Sequence, residues 1–160
     1  MKTILLTGSN GFTGKYIKSL LVKNGYNVKG ISLHNPEKDE ISCDLTDKAH
    51  VKRVISKTRP SGIIHLAAQS FVAHKDASEF YKVNVLGATN ILESLDETGI
   101  IPAKIIIASS ANVYGNPNVD IITENTCAAP VNHYAATKLS KEHMHRTWLK
   151  ICSTILPRPL

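Results

Sequence analysis

The residues best suited to chemistry fall in two places. Near the start, Gly8-Ser9-Asn10-Gly11-Phe12-Thr13-Gly14 repeats glycine every third residue. It follows a short apolar run and opens a helical pattern. A turn that tight needs residues free to take positive φ, and a pyrophosphate must approach the backbone closely. The helix beginning there offers unpaired N–H groups and a partial positive charge. Phosphate binding is the chemistry this spacing serves.

The second place is later in the chain. Ser109-Ser110-Ala111-Asn112-Val113-Tyr114-Gly115 follows an isoleucine-rich run, and Tyr134-Ala135-Ala136-Thr137-Lys138 lies beyond it. Positions i and i+4 share a helix face, so Tyr134 and Lys138 point into one space. A phenol alone titrates near 10, too high for a base at neutral pH. An ammonium ~6 Å from a phenolate, at an effective dielectric of ~20, contributes about 2.8 kcal/mol, roughly two pKa units. Such a pair can exchange a proton with a hydroxyl or ketone, with a serine hydroxyl on the same oxygen.

Positioning these groups takes alternating elements. Apolar runs predict strands over 3–7, 27–33, 41–43, 62–66, 103–108 and 153–156. Helical spacing covers 12–24, 46–58, 78–95 and 132–151. Ile17, Leu20 and Leu21 mark the inner face of the first helix, and Thr46 is the expected cap of the second. Phe80, Val83, Gly87, Ile91 and Leu95 give the third its buried stripe. The expected fold class is α/β, a doubly wound parallel sheet of the Rossmann type. Residues 115–131 form a long irregular loop, often functional in such folds.

Composition narrows the alternatives. The 160 residues are 42% hydrophobic and 20% charged, which excludes a disordered chain, a collagen or a disulfide miniprotein. Nineteen Lys and Arg against thirteen Asp and Glu give +6, a balance suited to phosphate-bearing ligands. The charge is spread along the chain and does not interleave with aromatics, so nucleic acid is not expected as a partner. Lys138, Lys141, Arg146 and Lys150 read as a solvated basic face of the last helix. Phe71 and Trp148 read as packing residues, and His65 as a buried imidazole or a group near the cofactor. His143 and His145 stand two apart, so no metal is expected. Cys43, Cys127 and Cys152 are odd in number with no CxxC, as in reduced cytoplasmic proteins. No apolar run suggests a signal peptide or a membrane helix.

The glycine spacing, His65-Leu66-Ala67-Ala68, Asn84-Val85-Leu86-Gly87, the Ser109 segment and the Tyr134–Lys138 pair together resemble the extended short-chain dehydrogenase/reductases, in particular the NAD-dependent epimerase/dehydratase family. The run Gln69-Ser70-Phe71-Val72-Ala73-His74 resembles enzymes of GDP-mannose metabolism, including GDP-6-deoxy-mannose reductases. The resemblance implies catalytic roles for Ser110, Tyr134 and Lys138. It implies a cofactor site of Gly8, Asn10, Gly11, Phe12, Gly14, Ser32, Asp44, Leu45, Ala67, Ala68, Asn84 and Lys138. The cofactor is NAD or NADP; no acid ends the second strand, and Ser32, His34 and Lys38 lean towards NADP. The implied partner is a nucleotide sugar, GDP-linked, with no nucleic acid or membrane, and the family admits a homodimer.

Ala111 and Asn112 stand where a 4,6-dehydratase needs a carboxylate. Oxidoreduction at C4, or epimerisation through a 4-keto sugar, is therefore expected ahead of dehydration. A dinucleotide-binding fragment without catalysis is the alternative. Residues 1–160 are expected to form one NAD(P)-binding domain. Arg158-Pro159 would lead into a substrate-binding half lying mostly outside them.

Overall fold

In the computed structural model, residues 1–33, 36–37, 39–70 and 76–155 are described, the last six of these by backbone alone. Leu5, Leu6 and Thr7 form the C-terminal part of β1 (Thr3–Thr7) and are buried. β1 pairs in parallel with β2 (Asn27–Ser32) on one side and β4 (Gly62–His65) on the other. β3 (Ile41–Ser42) and β5 (Lys104–Ile107) complete a five-stranded parallel sheet of order β3-β2-β1-β4-β5. The order reverses at β1, so the crevice beyond its C-terminal end is where ligands bind in such sheets.

Helices α1 (Phe12–Lys23), α2 (Lys48–Thr58), α3 (Ala77–Phe80), α4 (Gly87–Thr98) and α5 (His133–Ile155) join the strands. The core forms where α2 and α4 meet the sheet. Val51, Val54, Ile55, Ile91 and Leu95 pack on Leu5, Ile31 and Ile63. Each such side chain contributes about 1.5–3 kcal/mol by leaving water. Among the described residues α1 packs chiefly on β1 and β2. Its expected inner face is thinly covered: Leu20 stays 61% exposed, and only Gly14 is fully buried.

Three elements differ from the sequence reading. Asp47, not Thr46, caps α2, accepting from the His50 N–H at 2.9 Å; Thr46 is held back by Asp44. The helix expected over 78–95 is interrupted by a π-helical stretch, Tyr81–Leu86. The expected sixth strand does not form over 153–155, which continue α5; Leu156 lies outside the described residues. Adding residues to a helix already nucleated gains one hydrogen bond each, and that outweighs the β propensity of Ser153-Thr154-Ile155. Among the described residues no helix is long and apolar enough to cross a membrane.

Candidate active site

The loop after β1 leaves no room for side chains. Gly8 has φ +71°, and a Cβ there would stand 2.8 Å from the Ala67 nitrogen. A Cβ on Gly14 would stand 2.1 Å from the Gly8 carbonyl oxygen. α1 thus begins hard against backbone. No side chain caps it and no acid sits in its first turn, so its N-terminal N–H groups are available to an anion.

From this turn a groove of about 540 Å³ runs along the C-terminal ends of the strands. Gly8, Asn10, Gly11, Phe12 and Gly14 line one end, and Ser32, Asp44, Leu45, Ala67 and Ala68 line its middle. Asn10 Nδ2 donates to Ser32 Oγ at 3.0 Å and joins the first two walls. Asp44 Oδ1 accepts from the Thr46 N–H and hydroxyl, each at 2.8 Å, so it shapes a turn and faces the groove. Cys43 also lines the groove, but burial pushes its thiol up to about 11, so it is no nucleophile at neutral pH. His34 and Lys38 lie outside the described residues, as do Phe71 and His74.

Tyr134 and Lys138 form the other end. The Lys138 ammonium donates to the Ala108 carbonyl at 3.3 Å and lies 5.3 Å from the centre of the Tyr134 ring. Burial lowers the Lys138 pKa, while a hydrogen bond with Lys141 opposes that shift. A cation is thereby held beside a phenol, the arrangement a proton-transferring pair needs.

Two expected site residues sit elsewhere. Ser109, not Ser110, lines the groove; Ser110 Oγ accepts from the Asn112 N–H and caps a short 3₁₀ turn. Asn84 is fully buried and lines no part of the groove. It accepts from the Gln69 N–H at 2.8 Å and donates to Gln69 O and Thr137 Oγ1. It therefore ties the loop after β4 to the turn of α5 between Tyr134 and Lys138.

Two buried basic groups stand behind this pair, His65 as the sequence suggested and Lys141 against it. His65 is fully buried at the end of β4, and burial with nearby Lys141 and Lys138 lowers it to about 3. Thr7 Oγ1 accepts from the Ala67 N–H and lies 2.7 Å from His65 Nδ1, a hydrogen bond whose direction follows the ring tautomer. Lys141 is only 1% exposed, which corrects its reading as part of a solvated face. The signal was present: 134, 138 and 141 follow the i, i+4, i+7 spacing of one helix face.

Comparison with known proteins gives consistent relatives. The family model for GDP-mannose 4,6 dehydratase matches residues 5–155. A GDP-6-deoxy-D-talose 4-dehydrogenase of Aggregatibacter actinomycetemcomitans is 35% identical over 88% of this chain and 46% of its own. A UDP-glucose 4-epimerase of Corynebacterium glutamicum is 30% identical over 88% of this chain and 44% of its own. The solved UDP-glucose 4-epimerase of Brucella ovis in complex with NAD superposes with a TM-score of 0.84 at 29% identity, covering 92% of this chain and 48% of that one. The chain thus spans about half the length of the curated relatives it matches.

Proposed function

The chain belongs to the GDP-mannose 4,6 dehydratase family, and from that premise we propose that residues 1–160 are the dinucleotide-binding domain of an oxidoreductase or epimerase acting at C4 of a nucleotide sugar. The observation carrying this reading is a single groove with a bare helix N-terminus at one end and Tyr134 with Lys138 at the other. The residues fit a nicotinamide dinucleotide, since a floor of backbone without Cβ atoms admits a pyrophosphate.

In this proposal the N–H groups at the start of α1 bind the pyrophosphate, and Asp44 and Leu45 flank the adenine. Ala67 and Ala68 lie along the dinucleotide. Lys138 spends one donor on Ala108 O and offers another to the nicotinamide ribose. Tyr134 exchanges a proton with the sugar O4, and the Ser109–Ser110 segment supplies a hydroxyl to the same oxygen, Ser110 by the family resemblance and Ser109 by its place in the groove. The nicotinamide ring, when bound, accepts or returns the hydride. Relatives solved with NAD support NAD, while the lean to NADP rests on Ser32 with His34 and Lys38. The GDP linkage draws support from the GDP-6-deoxy-D-talose 4-dehydrogenase. Ala111 and Asn112 continue to disfavour dehydration, because neither moves a proton.

Equilibrium titration with NADH and NADPH tests the binding half, and absence of saturable binding of either defeats it. Tyr134→Phe should keep that binding and abolish reduction of a GDP-4-keto-6-deoxy-hexose; unchanged turnover would sink the proton-transfer role. Ser110→Ala and Ser109→Ala, compared side by side, decide which hydroxyl meets the substrate. Binding of NADH without turnover by these 160 residues would favour the second reading, a dinucleotide-binding module.

A further inference from the structure

A smaller cavity of about 170 Å³ adjoins the Lys138 end of the groove, between α5 and the end of β5. Its charges do not balance. Lys138, Lys141, His145 and Arg146 line it against one carboxylate, Glu142, which is occupied by Ser109 Oγ. Lys141 is 99% buried, and its Nζ meets no hydrogen-bonding oxygen. His145 Nε2 is also buried without a partner. Protonating a buried amine that has Lys138 beside it and no oxygen to accept its protons is among the costliest steps a fold can take. What would relieve it is a negative group of a few atoms, and the cavity has room for one.

We propose that this cavity is an oxyanion site, in which a carboxylate or phosphate group bonds Lys141 Nζ and His145 Nε2. It adjoins the dinucleotide groove, sharing Ala108, Ser109 and Lys138 with it, and does not depend on the activity proposed above. Around Lys141 stand His65 from β4 and Lys138, Glu142, His145 and Arg146 from α5. With no anion present, burial and the neighbouring Lys138 lower Lys141 to about 7. An anion favours the charged form, so binding at neutral pH and above takes up a proton. Affinity is then greatest below about 7 and falls about tenfold per pH unit above it.

The test is calorimetric titration of the whole chain with sodium phosphate and, separately, sodium acetate. NADH at saturation fills the glycine end. Two buffers of different ionisation enthalpy report the proton. The site predicts saturable binding, proton uptake, and a loss of about tenfold or more in Lys141→Met that circular dichroism shows to be folded. The tighter of the two probes identifies the site as one for phosphate or for carboxylate. Lys141→Gln replaces the methionine variant if that one misfolds. No saturable binding of either probe, binding without proton uptake, or equal affinity in a folded Lys141 variant overturns the proposal. If NADH does not bind, the dinucleotide reading fails alone, and the anion site is still read from the Lys141 variant.

Discussion

The two ends of the groove are built by opposite means. The Gly8–Gly14 end is made of backbone, and what matters there is the absence of side chains. The Tyr134–Lys138 end is made of side chains whose charges depend on what surrounds them. At the first end the site proposed for phosphate is complete once the turn closes. At the second, Lys141 and His65 are buried behind Tyr134 and Lys138, and burial disfavours their charged forms. A binding function written in steric terms sits beside a chemical function written in electrostatic ones.

Three measurements can break or sharpen that contrast. The largest effect is expected for Gly14→Ala. Its Cβ would meet the Gly8 carbonyl at 2.1 Å, and neither atom belongs to a flexible side chain. The variant should lose dinucleotide binding and about 4 kcal/mol or more of stability by denaturant unfolding. Near-normal stability would show that the turn is looser than its geometry.

The next effect has the opposite sign. Lys141→Met removes a buried ammonium and should stabilise the chain by about 1–4 kcal/mol at neutral pH. The unfolded lysine titrates at its ordinary 10.5 and the folded one at about 7. The gain is therefore fully present below about 7, shrinks as pH rises from there, and is gone above 10.5. A loss of stability at pH 7 would show that Lys141 already has a partner in the folded chain.

The smallest is a slope. His65 titrates at about 3 when folded against an ordinary 6.5, so below 6.5 the unfolded chain binds a proton that the folded chain refuses. Stability held above 6.5 should fall by about 1.4 kcal/mol per pH unit on acidification, and a His65→Asn variant should flatten the slope. Parallel slopes for the two proteins would place the acid sensitivity elsewhere.

The same contrast explains what could be read from the sequence. The glycine turn and its strand–helix context are local, and spacing alone located Gly8, Gly11 and Gly14. Tyr134 and Lys138 were legible for the same reason, one helical turn apart. Lys141 was not, because a run of lysines on a helix reads as solvated until it is known which face meets the sheet. Asn84 was expected to touch the cofactor, whereas its hydrogen bonds go to Gln69 and Thr137. Ser109 and Ser110 differ by one residue, and which of them faces the groove depends on the 3₁₀ turn at Ala111–Tyr114. That turn has no period by which to be read.

The π-helical stretch Tyr81–Leu86 makes residue number itself a determinant of the site. A wide turn holds one residue more than an α-turn, and each residue of an α-helix advances by about 100°. Removing that extra residue would let a regular helix run through with both flanks still in phase, whereas removing a residue from α4 itself would rotate one side by about that angle. Ile91 and Leu95 would keep their place in the core, while the Asn84 amide, inside the stretch, would lose its placement against Gln69 and Thr137. A one-residue deletion in the irregular 115–131 stretch would merely shorten a loop. In this helix the same deletion would act through the Asn84 amide on the α5 turn that carries Tyr134 and Lys138.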